Sequence, residues 1–216
     1  MKYEIIASGS TGNAVLFNDY VLVDCGVSFS KLATYLRGLK IVLLTHIHGD
    51  HFNPSTIKRL AAERPTLRFV CGSHLIAPLL TAGVELRNID IVEPDICYLY
   101  TGITVTAFEL HHDVPNFGYK IVFENRDNPR FESFVYATDT KDLPEIPNYD
   151  FYFVESNYKN LDKLAERIRE KRETGEYIYE ERVAETHMSE EYVTDWLQRN
   201  GDANSQYVFL HAHKED

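Results

Sequence analysis

The chain has 216 residues, 44% hydrophobic and 25% charged, with a formal net charge of −11. That length predicts one domain over residues 1–216 with ample core. No apolar run reaches the roughly 18 residues of a membrane span, and Met1-Lys2-Tyr3-Glu4 does not open like a secretory leader, so no membrane partner is expected. The acidic balance argues against non-specific nucleic-acid binding, which is driven by basic side chains on phosphates. The cysteines, Cys25, Cys71 and Cys97, are odd in number and widely spaced, with no C-x-x-C pair. They read as buried thiols of a cytoplasmic protein.

Residues 2–7 predict a first strand, followed by a small polar turn at 8–13, Ser-Gly-Ser-Thr-Gly-Asn. Residues 14–17 and 20–24 predict two strands joined at Asn18-Asp19, a hairpin signal. Residues 28–37 suit a helix with Phe29, Leu32, Ala33 and Leu36 on one face. The apolar run 41–44 reads as a buried strand, and Asn53-Pro54 as an N-cap with proline opening a helix over 54–64. Residues 67–71 predict a strand, after which Ser73 caps a short helix through 80, with His74 a capping or surface residue.

Residues 96–99 and 103–110 predict strands around Gly102, the second ending in His111-His112-Asp113. A strand at 119–124, a polar hairpin turn at 125–130 and a strand over 134–140 follow, the last ending in Thr138-Asp139-Thr140. Residues 151–154 are a further buried strand running into Glu155-Ser156-Asn157-Tyr158. Residues 161–172 form a charged helix. Across 159–182 the charges alternate in sign, which fits a solvated, salt-bridged face, or else a lid or substrate-contact segment. Tyr177 and Tyr179 read as packing residues, with base stacking as the alternative. Ser189 caps a last helix that buries Trp196 and Leu197 and stops at Gly201. A strand at 207–210 leads into His211-Ala212-His213.

The chemistry concentrates between the strand at 41–44 and the helix at 54–64. In Thr45-His46-Ile47-His48-Gly49-Asp50-His51, four metal-capable side chains fall within six residues. His46 and His48 alternate, so an extended backbone points them the same way. Asp50 and His51 follow Gly49, where the chain can turn. Two imidazoles at one centre, and a carboxylate with an imidazole at a second, is a natural division. Mixed nitrogen and oxygen donors suit zinc, manganese or iron, not calcium. Of the adjacent pair His111 and His112, alternation lets at most one reach such a centre. The residues alone do not choose between them.

H-x-H-x-D-H after an apolar strand resembles the signature of the metallo-β-lactamase fold superfamily. Ser-Gly-Ser-x-Gly-Asn at 8–13, then Leu-Val-Asp-Cys-Gly at 22–26, is similar to the WalJ (YycJ) branch, as are His112-Asp113, the tripeptide Glu155-Ser156-Asn157 and His187-Met188-Ser189. His112 followed by Gly118-Tyr119 is similar to tRNase Z. The resemblance implies an α/β (α+β) fold, the αββα four-layer sandwich. It implies two divalent metal ions, Zn2+ or Mn2+ with iron also possible, about 3.5–4 Å apart. His46, His48 and His112 would hold one, Asp50, His51 and His211 the other, with Asp139 bridging and Asp24 bracing the metal loop. His187, oriented by Glu155, would donate a proton; Asp50 is counted with them as catalytic. His111 would be a structural neighbour. His213 stands where the branch has serine.

The implied activity is metal-dependent phosphodiester hydrolysis, with DNA exonuclease action of the WalJ type foremost. Two divalent ions bring up to four positive charges to the place of a phosphate, which tempers the acidic balance. A β-lactam or thioester hydrolase has less use for a Glu–His proton donor. No insertion long enough for the tRNA-binding arm of tRNase Z is visible. A small cyclic or nucleotide phosphodiester is the alternative substrate, and an idle metal-binding module the second alternative. Oligomeric state is not legible.

Overall fold

The computed structural model describes residues 1–124 and 132–211; the expected turn at 125–130 and His213 lie outside them. The described residues form a mixed α/β structure with two six-stranded sheets and six α-helices. Two compact units arise, the first Met1–Tyr98 with Thr106–Phe108, the second Leu99–Val105 with Glu109–Asp216. No described helix is long and apolar enough to cross a membrane.

The first sheet runs in chain order: β1 (Tyr3–Ala7), β2 (Ala14–Phe17), β3 (Val21–Val23), β4 (Ile41–Leu43), β5 (Arg68–Cys71), β6 (Ile89–Ile91). β1, β2 and β3 pair antiparallel; β3 to β6 pair parallel. The β2–β3 hairpin turns where expected. Asn18 (φ 46°) and Asp19 (φ 64°) both take the left-handed conformation that a tight hairpin demands. β3 and β4 are buried throughout, as continuous apolar runs in a parallel sheet should be. Leu22 of β3 and Val42 of β4 join Leu32, Ile57, Leu60, Phe69 and Leu79 in one apolar core.

Helix α2 (Pro54–Glu63) starts as predicted, with Asn53 accepting from the Thr56 amide at 3.1 Å and proline in the first turn. Two expectations need correction. The helix at 28–37 is a single turn, α1 (Phe29–Leu32), and Ala33 is exposed. Tyr35 donates to Leu32 and Gly38 to Tyr35, three-residue turn bonds that replace the helical ladder. Nor does Ser73 cap a helix. Ser73–Leu75 is a 3-10 turn, and α3 (Ile76–Thr81) follows it with no side-chain cap.

The second sheet also runs in sequence: β7 (Cys97–Tyr100), β8 (Ile103–Leu110), β9 (Asn116–Phe123), β10 (Glu132–Ala137), β11 (Phe151–Glu155), β12 (Gln206–Leu210). β10, β11 and β12 are parallel, and β9 pairs antiparallel with β10. Helix α4 (Leu161–Thr174) is capped by Asn160 and stopped by Gly175 in the left-handed conformation (φ 72°). Helix α5 (Glu180–Thr186) was not foreseen; its first residue, Glu180, is buried and pairs with Lys171 of α4 at 2.5 Å. Helix α6 (Glu190–Asn200) starts at Ser189, whose hydroxyl accepts from the Tyr192 amide at 3.1 Å, and it buries Trp196 and Leu197. Tyr177 is 84% exposed, against the expectation of packing, whereas Tyr179 lies beneath the Lys171 ammonium at 4.2 Å.

Cysteine burial is as expected at Cys25 and Cys71, but Cys97 is exposed. It opens β7, the last strand at that end of its sheet, where little packs over it. Burial pushes the Cys71 thiol up to about 12. Burial, reinforced by Asp24, pushes Cys25 higher still.

Candidate metal centre

His112 follows β8 and His187 ends α5, but the other candidate ligands of each unit gather at the C-terminal ends of parallel strands. That is where open α/β sheets bind ligands, because the following loops diverge there. In the first unit Asp24 follows β3 and the run Thr45–His51 follows β4. His46 and His51 are fully buried, with ring centroids 4.2 Å apart; the His48 ring stands 4.8 Å from His46. Asp50 Oδ2 lies 3.7 Å from His51 Nε2.

Asp24 organises this loop. Its carboxylate, wholly buried, accepts from the Thr45 amide at 2.9 Å, from the Thr45 hydroxyl at 3.0 Å, and meets His51 Nδ1 at 2.7 Å. A carboxylate on Nδ1 fixes the imidazole tautomer and raises the basicity of Nε2. Asp24→Asn keeps the shape and the left-handed backbone (φ 60°) but removes that charge. It is expected to lower zinc affinity by about 10–100-fold. A chelator competition titration with unchanged affinity would remove Asp24 from this role.

Three further groups support the loop, and two of them, Asn13 and Gly26, had no individual reading in the sequence. The Asn13 amide nitrogen sits 2.8 Å from His51 Nε2 and 3.2 Å from the Asp50 carbonyl oxygen. Gly26 lies against the backbone of Asp50. A Cβ there would fall 1.8 Å from the Asp50 oxygen and 2.5 Å from the His51 nitrogen, so only glycine fits. His74 is half-buried, with Nε2 3.3 Å from the Thr45 carbonyl oxygen, and burial lowers its pKa. It braces the loop, where a capping or surface residue was expected. Asn13 lies in the polar turn at 8–13 and Gly26 closes the Leu-Val-Asp-Cys-Gly motif, neither of which marks a partner.

In the second unit β10, β11 and β12 deliver Asp139, Glu155 and His211. Side-chain donors of Asp139, Glu155, His187 and His211 all lie within 4.8 Å of one another. His211 Nδ1 is 2.9 Å from Asp139 Oδ2. Glu155, fully buried, accepts from the amides of Asp139 and Met188, the latter at 2.7 Å, and its Oε1 lies 3.1 Å from His187 Nδ1. With its oxygens engaged in this way, Glu155 is suited to orient His187. After β8 the two adjacent histidines part. The His112 side chain is 2% exposed and that of His111 69%; His111 pairs with Asp142 at 2.6 Å. The His112 and His187 rings are 5.6 Å apart, and His187 and His211 5.3 Å. Asn116, also without a role in the sequence reading, holds the Asp139 peptide: its amide donates to the carbonyls of Thr138 at 2.9 Å and Asp139 at 2.7 Å.

Asp24, Asp139 and His211 share a backbone feature: φ is 60°, 57° and 51°. Left-handed backbone is uncommon outside glycine, and such residues cluster at functional sites. Each of the three turns away sharply just beyond a strand end.

The donors of both units are imidazole nitrogens and carboxylate oxygens, with no thiolate, and this chemistry fits a divalent transition metal. A beta-lactamase superfamily domain model matches residues 19–212. The chain belongs to the beta-lactamase superfamily. The structure is similar to the metallo-β-lactamase fold protein YhfI from Bacillus subtilis (TM-score 0.69, 18% identity, covering 99% of this chain and 87% of that one). It is similar also to the short form of human tRNase Z (TM-score 0.67, 14% identity, 99% and 93% covered). These likenesses establish the metallo-β-lactamase fold anticipated from H-x-H-x-D-H. In sequence, the chain is 27% identical to the exodeoxyribonuclease WalJ of Streptococcus pneumoniae over 180 residues, 73% of this chain. It is 29% identical to the ribonuclease Z of Macrococcus caseolyticus over 132 residues, 50% of this chain. The matches span 62% and 40% of those relatives' own lengths.

Proposed function

We propose that this superfamily member is a dinuclear-metal-dependent phosphodiesterase acting on nucleic acid, with DNA, cut from an end, as its first substrate class. The observation that carries the proposal is the Glu155–His187 pair. A buried carboxylate against Nδ1 orients the ring and leaves the other ring nitrogen to carry a proton outward. An alkoxide leaving from phosphorus needs that proton. The relatives in sequence bear the names of an exodeoxyribonuclease and a ribonuclease.

Following the motif order, His46, His48 and His112 would hold one ion, and Asp50, His51 and His211 the other, with Asp139 shared. When bound, zinc or manganese supplies an activated water and neutralises charge on the phosphoryl oxygens. The protein's share is orientation. Asp24 and Thr45 fix the His51 ring, Asn116 fixes the Asp139 peptide, and Glu155 aims His187.

The test is cleavage of end-labelled double-stranded DNA, single-stranded DNA and RNA by the zinc- or manganese-loaded protein, beside His187→Ala. The variant is expected to lose about 10²–10⁴-fold in kcat while keeping its full metal content. If the loaded wild type leaves all three polymers intact, the nuclease reading fails. The net charge of −11 would then favour the second reading, a small cyclic or nucleotide phosphodiester.

A further inference from the structure

Beside His112 the second unit opens a cleft of about 630 Å³, within the usual range for small-ligand sites. Its charged walls are unusual for a protein that acts on phosphodiesters. Glu109, Asp113 and Glu185 contribute three carboxylates, and Lys141 is the sole lysine or arginine in the lining. Arg182 pairs with Asp113 and is not part of the lining. Lys141 is exposed, and no carboxylate among the described residues pairs with it.

The base of Lys141 is well fixed. It stands two residues beyond Asp139, and its amide donates to the His111 carbonyl at 3.1 Å. The Thr140 hydroxyl accepts from the His111 amide at 3.1 Å and donates to the Asp142 carbonyl at 2.9 Å. The ammonium therefore stands on a braced loop, at the edge of a cleft that His112 lines.

We propose that Lys141 is a substrate-contacting specificity residue: it takes one phosphate of a single nucleic-acid strand lying in this cleft, and the wall carboxylates turn away further phosphates. This rests on the phosphodiesterase reading and narrows it to a strand held by one backbone contact at this place. A cleft of this kind grips one nucleotide unit without gripping a long polyanion.

The test is the binding of a fluorescein-labelled single-stranded oligonucleotide to the metal-free full chain, followed by anisotropy from about 50 to 200 mM salt. One lost phosphate contact on a single strand lowers the slope of log Kd against log salt by about 0.7. Lys141→Gln is expected to show that loss, with Kd raised several-fold at low salt, and Lys141→Arg to restore both. Glu109→Gln and Glu185→Gln are expected to tighten binding. Lys58→Gln, the same charge change on α2 and outside the cleft, is expected to do neither. In the loaded enzyme, Lys141→Gln should raise KM and leave kcat unchanged. If Lys141→Gln matches Lys58→Gln, or the wild type does not bind, the assignment of Lys141 is overturned. Cleavage combined with an inert Lys141 would sink this proposal alone. A Lys141-dependent affinity without any cleavage would sink the phosphodiesterase reading and keep the strand contact.

Discussion

Replacing Asp139 by asparagine is expected to reduce phosphodiester hydrolysis by more than about 10³-fold, the scale of losing preorganised charge at a reacting phosphate. Asp139 is 3% exposed and stands at φ 57°. Asparagine tolerates that backbone and keeps the volume, so the fold should survive. What changes is the charge, and with it the hydrogen bond from His211 Nδ1 at 2.9 Å. The measurements are kcat, zinc per chain and the thermal midpoint. We expect zinc to fall from two per chain to one or fewer, with a midpoint within a few degrees of wild type. Full activity at full zinc would remove Asp139 from the centre.

The largest effect on stability is expected at Gly26, which is not itself a candidate ligand. Any Cβ at Gly26 collides with the Asp50 carbonyl and the His51 amide, and both are backbone. The loop cannot yield cheaply. The backbone N–H of Asn13 donates to the Asp50 carbonyl at 2.6 Å, and that of Cys25 to the His51 carbonyl at 3.0 Å. Gly26→Ala must break these bonds or displace Asp50, at about 3–5 kcal/mol, the upper range for single substitutions. For a chain of this size that lowers the midpoint by roughly 10 °C. Zinc affinity should fall with it, since His51 moves with the loop. A variant that melts with wild type and binds zinc normally would contradict the close approach.

Much of the centre was legible because ligand chemistry is local in sequence. The His46 to His51 run declares itself by density, and strands ending in Asp139 and His211 could be read from apolar runs. The choice of His112 over His111 came from resemblance; of the two side chains, that of His112 is the buried one. What could not be read were contacts between segments far apart in the chain. Asn13 reaches His51 across 38 residues, and Asn116 reaches Asp139 across 23. An asparagine in a turn carries no mark of the partner it will find. Helix α5 was missed for a related reason. Its sequence is mostly charged, and Glu180 is buried only because Lys171 of the preceding helix meets it. The helix predicted at 28–37 failed in the opposite sense, since its apolar spacing is helical but its later residues close into turns.

The spacing of the paired residues sets an order of events during synthesis. Asp24 and His51 are 27 residues apart, and β3 and β4 bring them together by direct pairing. Asp139 must wait 72 residues for His211, until β12 has docked on β11. At about 5–20 residues per second that interval is roughly 4–14 s on the ribosome. The first unit therefore has its histidines arrayed while the second still lacks one of its own. A nascent chain passes through a stage in which the loop carrying His46, His48 and His51 is in place while His211 has yet to reach Asp139.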